Sequence, residues 1–589
     1  MSKFPSFQKV WCSLLGTIFR FPVEVLVVLV GTICAFLIIG NNYATADEVL
    51  YVKIIMCCSL CLVAVLSCSL FFDAVKAKML YRYGISFLMM VLLFLFVFSF
   101  ELDISEVEIQ QFFVFNISLH LLVSFAAFLL RKYNQEEFWE FNKQLLLRIV
   151  TSGLYSGVLF AGLALAIIAI KELFVINFDD KLFGYLFVSI AGPFNTLFFL
   201  NGIPKIDNEA KPLRLQYPNG LKNFTQYVLL PLISLYLVIL LCYETKILIT
   251  LSLPVGWVSY LVLVFAIVGI LSFLLVLPIA NDAGNVWIKT FNRLFYYLLI
   301  PLLGLLYWAI LYRIIAYGFT HERYYVLLLS IWLTLVIAYF LIVTNPKIKF
   351  IPISLCFAGL FSISGPQSAD SVAKWSQLHR FSEYVQLLKK QRLSFEDEKD
   401  LSSIVDFLSL NYNAQILLPF AKEELTDVLA TEKQPKGAAI VSALGAKYRS
   451  KADRENASKM YFSYAYADNT NQVVEDVQGY DIAFFVSKYS QLECVKCVVI
   501  DARSYSIRSI KKSYGIDLQI NDDLVSLPLN AFVDKTAAFD EIDNTKKITQ
   551  VVETTCYTFL ITYLEVGGKH IDGKKVVENY NLRILLKIK

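Results

Sequence analysis

About 365 residues at the start of the chain carry eleven apolar runs, most of about twenty residues, and that repetition constrains the fold more than any other feature. A helix needs roughly 20 mostly apolar residues to cross the hydrocarbon core of a bilayer, where each backbone polar group must be bonded within its own segment. The runs are Pro22–Gly40, Leu50–Phe72, Gly84–Phe100, Gln110–Leu130, Ile149–Ile170, Leu182–Asn201, Tyr227–Tyr243, Val255–Ile279, Leu294–Ile315, Tyr324–Val343 and Ile348–Ile363, the last being the shortest. Charged residues make up 17% of the chain, against about a quarter in an ordinary soluble domain. The expected fold is a mainly α polytopic bundle of about eleven transmembrane helices, followed by a soluble α+β domain. Lys3, Lys9 and Arg20 resemble the start of a signal peptide, but the run behind them is long, lacks a small-residue cleavage pattern and is followed by ten more. It reads as an anchor that is kept.

Lys and Arg are retained on the cytoplasmic side of a membrane, so the connecting segments give an independent test of the crossings. With the N-terminus inside, inside segments hold eighteen basic residues and outside segments six. The outside loop at Glu101, Asp103, Glu106 and Glu108 has none. Residues 1–21 are therefore expected to be cytoplasmic and 22–364 to be the bundle. Ile348–Ile363 decides the side of the rest. Lys347 and Lys349 sit where a tight inside turn belongs, so the segment is expected to cross and the tail to be periplasmic in a bacterial inner membrane.

The tail changes texture. Val372, Trp375, Leu378, Tyr384, Leu387 and Leu388 recur at helical spacing, as do Leu401, Ile404, Val405 and Leu408, and Ile416, Leu417, Phe420 and Leu425. Residues 365–480 therefore read as mainly helical. From 481 to 589 the pattern is β, in short runs such as Ala483–Val486, Val498–Ile500, Leu518–Ile520, Cys556–Tyr563 and Leu582–Ile588. An antiparallel sheet is expected, with turns at Val566–Lys569 and Ile571–Lys574.

Two polar stretches carry a family resemblance. One is Arg313-Ile-Ile-Ala-Tyr317-Gly318-Phe-Thr320-His-Glu322-Arg323-Tyr324; the other is Gly365-Pro366-Gln-Ser-Ala-Asp-Ser371-Val-Ala-Lys-Trp-Ser376-Gln377-Leu-His-Arg380. Together they resemble the bacterial, Bacteroidetes-type multi-pass membrane family called domain of unknown function 4153. In that family a Tyr-Gly-Leu-Thr-Glu-x-Arg-Tyr loop and a Gly-Pro-x-Ser…Ser-x-x-Ser-Gln-x-x-Arg segment recur. Here the glutamate comes one place later, behind His321, and Phe319 replaces leucine. The resemblance is expected to cover nearly the whole chain, including Ser403–Leu408. It implies a multi-pass membrane protein and supplies no substrate, cofactor or catalytic residue.

Two candidate sites follow from the residues. Arg313, Tyr317, Gly318, Thr320, Glu322, Arg323 and Tyr324 form a polar cluster at an outer boundary, where guanidinium forks could hold an anionic headgroup or phosphate. The plainer reading is a self-contained loop with Glu322 paired to an arginine and tyrosines anchoring the interface. Inside the membrane, Pro193 and Asn195 break the sixth run, as transporter helices are broken where they bind substrate. Asn116 and His120, one turn apart, share a helix face. Packing and ordinary kinking are the plainer reading of these four. Gly153, Gly157 and Ala161 are spaced to admit a neighbouring helix. Cys494 and Cys497 invite a zinc or redox reading with Cys556 and His570, but positions three apart on a strand face opposite sides, so structural thiols or a single disulfide are expected.

No phosphate-binding glycine loop, nucleophile elbow, metalloprotease helix or paired-acid motif occurs. No cofactor is expected, and a net charge of +4 gives no reason to expect nucleic acid. The expected partners are the lipid bilayer and an envelope protein or lipid. The expected role is a non-catalytic envelope protein displaying an extracytoplasmic α+β domain for partner binding or sensing; the alternatives are a transporter or lipid-handling permease with a site near the broken sixth run and, after it, an enzyme acting on a lipid-linked substrate.

Overall fold

A computed structural model describes residues 7–41, 46–101, 104–130, 132–176, 178–205, 213, 215–250, 257–279, 286–431, 436–450, 461–466, 477–489, 492–512, 515–527, 529, 550–571 and 574–589. It divides into two units. One holds Met1–Gln391 with Ile404–Lys436, and the other Arg392–Ser403 with Gly437–Lys589.

The first unit opens with α1 (Phe7–Arg20), which is separated by the fully buried Phe21 from α2 (Pro22–Gly40). Pro22 sits in the first turn of α2, where its missing N–H costs nothing. Then come α3 (Ala46–Val75), α4 (Met79–Phe98), α5 (Glu106–Ala126) and the 40-residue α6 (Gln135–Phe174). Ser105 and Glu108 close a capping box at the start of α5. The sixth apolar run is α7 (Lys181–Ser189) and α8 (Asn195–Asn201), joined by a π turn over Ile190–Phe194. A second π turn, Thr225–Leu229, joins α9 (Asn219–Phe224) to α10 (Leu230–Thr250). The bundle ends with α11 (Trp257–Val276), α12 (Val286–Tyr317), α13 (His321–Ile342) and α14 (Phe350–Ile363). Among the described residues, ten helices are long and apolar enough to cross a membrane. The eleventh expected span, α14, has 14 residues, a rise of about 21 Å.

Helix ends gather in two sets, as alternating crossings require. At one end Lys53 donates to Phe100 O across 2.6 Å and Lys181 to Gly40 O across 2.9 Å. At the other, Arg20 donates to Ile203 O, Trp139 to Leu274 O, and Lys349 to Phe128 O. The helix α14 runs antiparallel to α13: Phe350 stacks on Tyr339 near the end of α13, Trp332 donates to Ser354, and Tyr325 meets Ser362 near its start. It also runs antiparallel to α5, where Gly359 lies against Ser118. Short as it is, α14 returns the chain to the end of the bundle where α13 begins. Its Ile351 joins the core built from α10–α13, while Ile348, just before it, and Cys356 join the core built from α2–α6.

After α14 the first unit continues into α15 (Ala369–Leu388), capped by Ser368. Next are α16 (Phe395–Asn411), divided between the units after Ser403, and α17 (Lys422–Thr431).

The second unit adds α18 (Gly437–Ala443) and, among the described residues, nine strands: β1 (Tyr461–Tyr466), β2 (Ile482–Ser487), β3 (Glu493–Ile500), β4 (Arg503–Lys512), β5 (Gly515–Ile520), β6 (Asp523–Leu527), β7 (Gln550–Glu553), β8 (Tyr557–Ile571) and β9 (Lys574–Ile588). One antiparallel sheet has the order β1-β8-β9-β2 with β7 also on β8; the other is the meander β3-β4-β5-β6. Both sheets feed one core, with Phe559, Leu582, Ile584, Leu518 and Ile520 inside it. The sheet begins upstream of 481, at β1. Val566–Lys569 is not a turn, because β8 runs through it. The glycine pair instead sits at a register shift opposite Asn579 and Val577, where a bulge bends the hairpin. Of the second expected turn, Asp572 and Gly573 lie outside the described residues.

Candidate functional site

Four helix ends that alternating crossings assign to one face meet around a cavity of about 680 Å³. The start of α5 contributes Glu106 and Gln110, the start of α11 Ser259 and Tyr260, and the end of α12 Ile310, Arg313 and Tyr317. The α12–α13 turn and the start of α13 supply Thr320, His321, Glu322, Arg323 and Val326, and α16 adds Phe407 and Asn411. Of the expected polar cluster, Arg313, Tyr317, Thr320, Glu322 and Arg323 line it. Gly318 and Tyr324 act from behind.

Gly318 ends α12 with φ +72°, donating to Ile314 O at 2.8 Å. A left-handed residue after a helix is a natural stop, and glycine adopts it without a Cβ penalty. The carbonyls on either side of it need donors, and α15 provides them. Gln377 Nε2 donates to Tyr317 O at 3.1 Å and to Phe319 O at 2.8 Å, while Phe319 N donates to Ser376 Oγ at 2.9 Å. Arg323 Nη1 donates back to Tyr317 O at 3.1 Å and Gly318 O at 2.8 Å, and its guanidinium lies 5.6 Å from the Tyr317 ring. Among the described residues nothing accepts from Arg323 Nε or Nη2. The bond shown for Glu322 leads out of the loop: it accepts from Tyr260 Oη of α11 at 3.1 Å. Tyr324 Oη donates to Gln367 O at 2.6 Å. The two stretches singled out in the sequence are thus one structure.

Beside the arginines is His321, 5% exposed. Its Nε2 is 3.4 Å from Asp370 Oδ1 and 3.3 Å from Tyr412 Oη, and Tyr412 donates to the same carboxylate oxygen at 2.7 Å. With the tyrosine proton committed to Asp370, the ring proton belongs on Nε2. Burial works against the charged form of Asp370. Hydrogen bonds from His321 and Tyr412, with His321 and Lys374 nearby, outweigh it and hold the carboxyl below its ordinary range. Burial, then the Asp370 carboxylate, push the Tyr412 phenol upward.

The four intramembrane candidates are not brought together. Asn116 donates to Ser59 at 2.9 Å, and the exposed His120 bonds the Asn116 carbonyl on its own helix at 2.8 Å. Pro193 lies inside the π turn, where the missing N–H is absorbed by the wider helical loop. Asn195 accepts from Ser156 of α6 at 3.3 Å. Gly192, next to the proline, is the close approach, since a Cβ there would sit 2.7 Å from Thr32 Oγ1. Gly153 and Gly157 have no atom near them, so that face of α6 receives no neighbouring helix in the described structure.

The spans are also less free of buried charge than their composition suggested. Glu24 is fully buried, accepting from Ser69 at 2.5 Å with Arg82 at 3.9 Å, and Arg82 also meets Asp73. Glu140 and Lys143 form a buried pair at 2.7 Å that also holds the Gln216 backbone. Both clusters lie at the opposite end of the bundle from the cavity and tie helices together.

Gln110, Asp370 and Gln377 were not singled out, although Asp370 and Gln377 stand inside a quoted motif and Glu106 and Gln110 are spaced to share a helix face. Nothing in the sequence marked Tyr412. In the second unit Cys494 is disulfide-bonded. The register of β3 on β4 shifts between Cys494 and Val498, so the alternation that set positions three apart on opposite faces does not apply there. The side chains of Cys497 and His570 lie outside the described residues, Cys556 is a free thiol, and no group of three metal-binding side chains occurs among the described residues.

Comparison with curated proteins and with solved structures found no match. The family model described as Domain of unknown function (DUF4153) matches residues 25–387. The match takes in both motif stretches and the whole cavity-bearing bundle from α2 onward, but ends before Ser403–Leu408 and the sheets. This chain belongs to the DUF4153 family of domain of unknown function proteins, as a multi-pass membrane protein.

Proposed function

We propose that the protein binds the phosphate-bearing headgroup of a lipid or lipid-linked amphiphile in the cavity at the extracytoplasmic end of its bundle, in a bacterial cytoplasmic membrane. The observation that carries this is Arg323: one guanidinium nitrogen is fixed on two carbonyls, which holds the remaining N–H groups, unpartnered among the described residues, at a cavity shared with Arg313. A guanidinium so anchored loses little freedom when it meets an oxyanion. The excess of basic residues on the opposite loops supports reading this end as the outer one. Among the described residues no apolar span follows α14, which favours an extracytoplasmic tail, and the Cys494 disulfide suits an oxidising compartment. Transport has less support, because Asn116 and Asn195 are engaged in helix packing. An enzyme acting on a lipid-linked substrate is the second reading, favoured by the His321–Asp370 pair beside the arginines.

The test is titration of the full-length protein in neutral nanodiscs with a short-chain phosphatidic acid. Arg323→Gln and Arg313→Gln should each weaken binding about tenfold or more, as loss of a charge-assisted hydrogen bond does. The bonds that anchor Arg323 on the turn do not involve the Arg313 side chain, and thermal unfolding of each variant checks that it is folded. Unchanged affinity in a folded Arg313→Gln protein removes the proposal.

A further inference from the structure

The imidazole of His321 lines the cavity and uses only one of its two nitrogens to hold the fold. Nε2 faces Asp370 and Tyr412 and carries the ring proton, so Nδ1 holds the lone pair. Nδ1 has no partner among the described residues, and it is not one of the buried side-chain atoms left without one, so it keeps accessible surface. The ring is fixed in place. Phe407, also on the cavity wall, has its ring 5.5 Å away at 31°, and the Tyr412 ring lies 6.4 Å away at 39°. A carboxylate thus sets the tautomer and the orientation and leaves the basic nitrogen open, which is how a catalytic base is prepared. The helix α13 starts at the same place. Thr320 gives its first N–H groups no side-chain cap, and the positive end of the helix dipole lies at His321, Glu322 and Arg323. Negative charge in the cavity is stabilised by Arg313, Arg323 and the helix start together.

We infer that His321 is the general base of a hydrolase for a lipid-linked diphosphate, with Nδ1 taking the proton of the water that attacks the terminal phosphorus. The inference rests on the headgroup-binding reading above and adds a reaction to it. The water oxygen bonds to the terminal phosphorus as the bridging P–O bond breaks. The electron pair of that bond leaves with the lipid monophosphate, and the proton passes from Nδ1 to solvent. Asp370 keeps its charge throughout and steadies the imidazolium, as a positioning residue. The anhydride is singled out by what the site supplies. Its departing phosphate leaves as an anion, which the guanidinium groups and the helix start hold, so one base is enough. The alkoxide of an ester would need a proton donor as well. A volume of about 680 Å³ admits a diphosphate with the first part of its lipid chain.

The experiment follows release of inorganic phosphate from farnesyl diphosphate, with farnesyl monophosphate alongside, by full-length protein in neutral nanodiscs. Binding of short-chain phosphatidic acid is measured on the same samples and reports the folded site. The wild-type protein should release phosphate from the diphosphate. His321→Gln should lower kcat about a hundredfold or more, the usual weight of a general base, while phosphatidic acid binding stays within about threefold. Asp370→Asn, which keeps the shape and removes the charge, should lower kcat about tenfold or more with KM unchanged, a split that a loss of folded protein does not produce. Equal turnover of the monophosphate overturns the choice of an anhydride, and turnover unaffected by His321→Gln overturns the base. No phosphate release from a wild-type protein that binds phosphatidic acid overturns the inference and leaves the headgroup site standing. Failure to bind phosphatidic acid overturns the headgroup reading itself.

Discussion

His321 Nε2 lies 3.4 Å from Asp370 Oδ1, across 49 residues of sequence, and Tyr412 bonds the same oxygen. Replacing Asp370 by alanine strands a buried imidazole and a half-buried phenol, and should cost about 1–3 kcal/mol of stability at neutral pH. Asp370→Asn isolates the charge. Because the folded carboxyl titrates below its unfolded value, near 3.9, its contribution is complete above that pH and disappears as pH falls through the lower folded value. Thermal unfolding in detergent from pH 7 to pH 3 should show this acid-side loss in the wild-type protein and a smaller one in Asp370→Asn. Identical pH slopes would contradict the assignment.

Gly318→Ala forces a Cβ onto a residue with φ +72°, 2.9 Å from Arg380 Cδ and Ser376 Oγ. The left-handed conformation alone costs an alanine roughly 1–2 kcal/mol. The expected result is a lower unfolding temperature together with weaker headgroup binding, since Arg323 is anchored on the Gly318 carbonyl. Gly304→Ala, at a position with nothing within 4 Å, is the matched control and should be close to neutral.

Gly359→Val should push α14 off α5, because even a Cβ at that position would overlap Ser118. Overpacking of this kind typically costs about 1–3 kcal/mol. Fusions at Ser364 carrying a periplasm-dependent reporter should be active in the parent protein, and reporters at Lys589 should agree with them. A cytoplasm-dependent reporter active at Ser364 would show that α14 does not cross.

In the second unit Glu398 and Arg449 form a buried ion pair, with Arg449 Nε at 2.8 Å and Nη2 at 2.5 Å from Glu398 Oε2, and Arg449 N on Ser402 Oγ at 2.9 Å. Removing one partner leaves an uncompensated buried charge, so Arg449→Ala should cost about 3–5 kcal/mol. The matched double replacement with apolar residues of similar volume should recover much of that loss. Chemical unfolding of the full-length protein, followed on the β signal, measures both.

The bundle was legible because a lipid-exposed helix must be apolar along its whole length, a signal that depends on no distant residue. Pro22–Gly40 matches α2 end for end for that reason. The β region was legible in type and blurred at its edges: Gly567–Gly568 has the composition of a turn, and only pairing with β9 makes it a bulge. The polar cluster could be found from its arginines, but its partners could not. Gln377 and Asp370 lie about fifty residues further along a polar helix with no pattern to set them apart, and Tyr412 comes from another helix again. Gln110 looked like one polar residue at the start of an apolar run. Only the folded structure shows that its buried oxygen has no partner among the described residues.

Ser376 and Gln377 take one N–H and two C=O groups from the three residues Tyr317–Phe319, so the α12–α13 turn has no slack of its own. Arg323 holds one of those carbonyls as well, Tyr317 O, together with Gly318 O. Tyr317 O is thus a joint held from two sides, by a guanidinium of α13 and by an amide of α15.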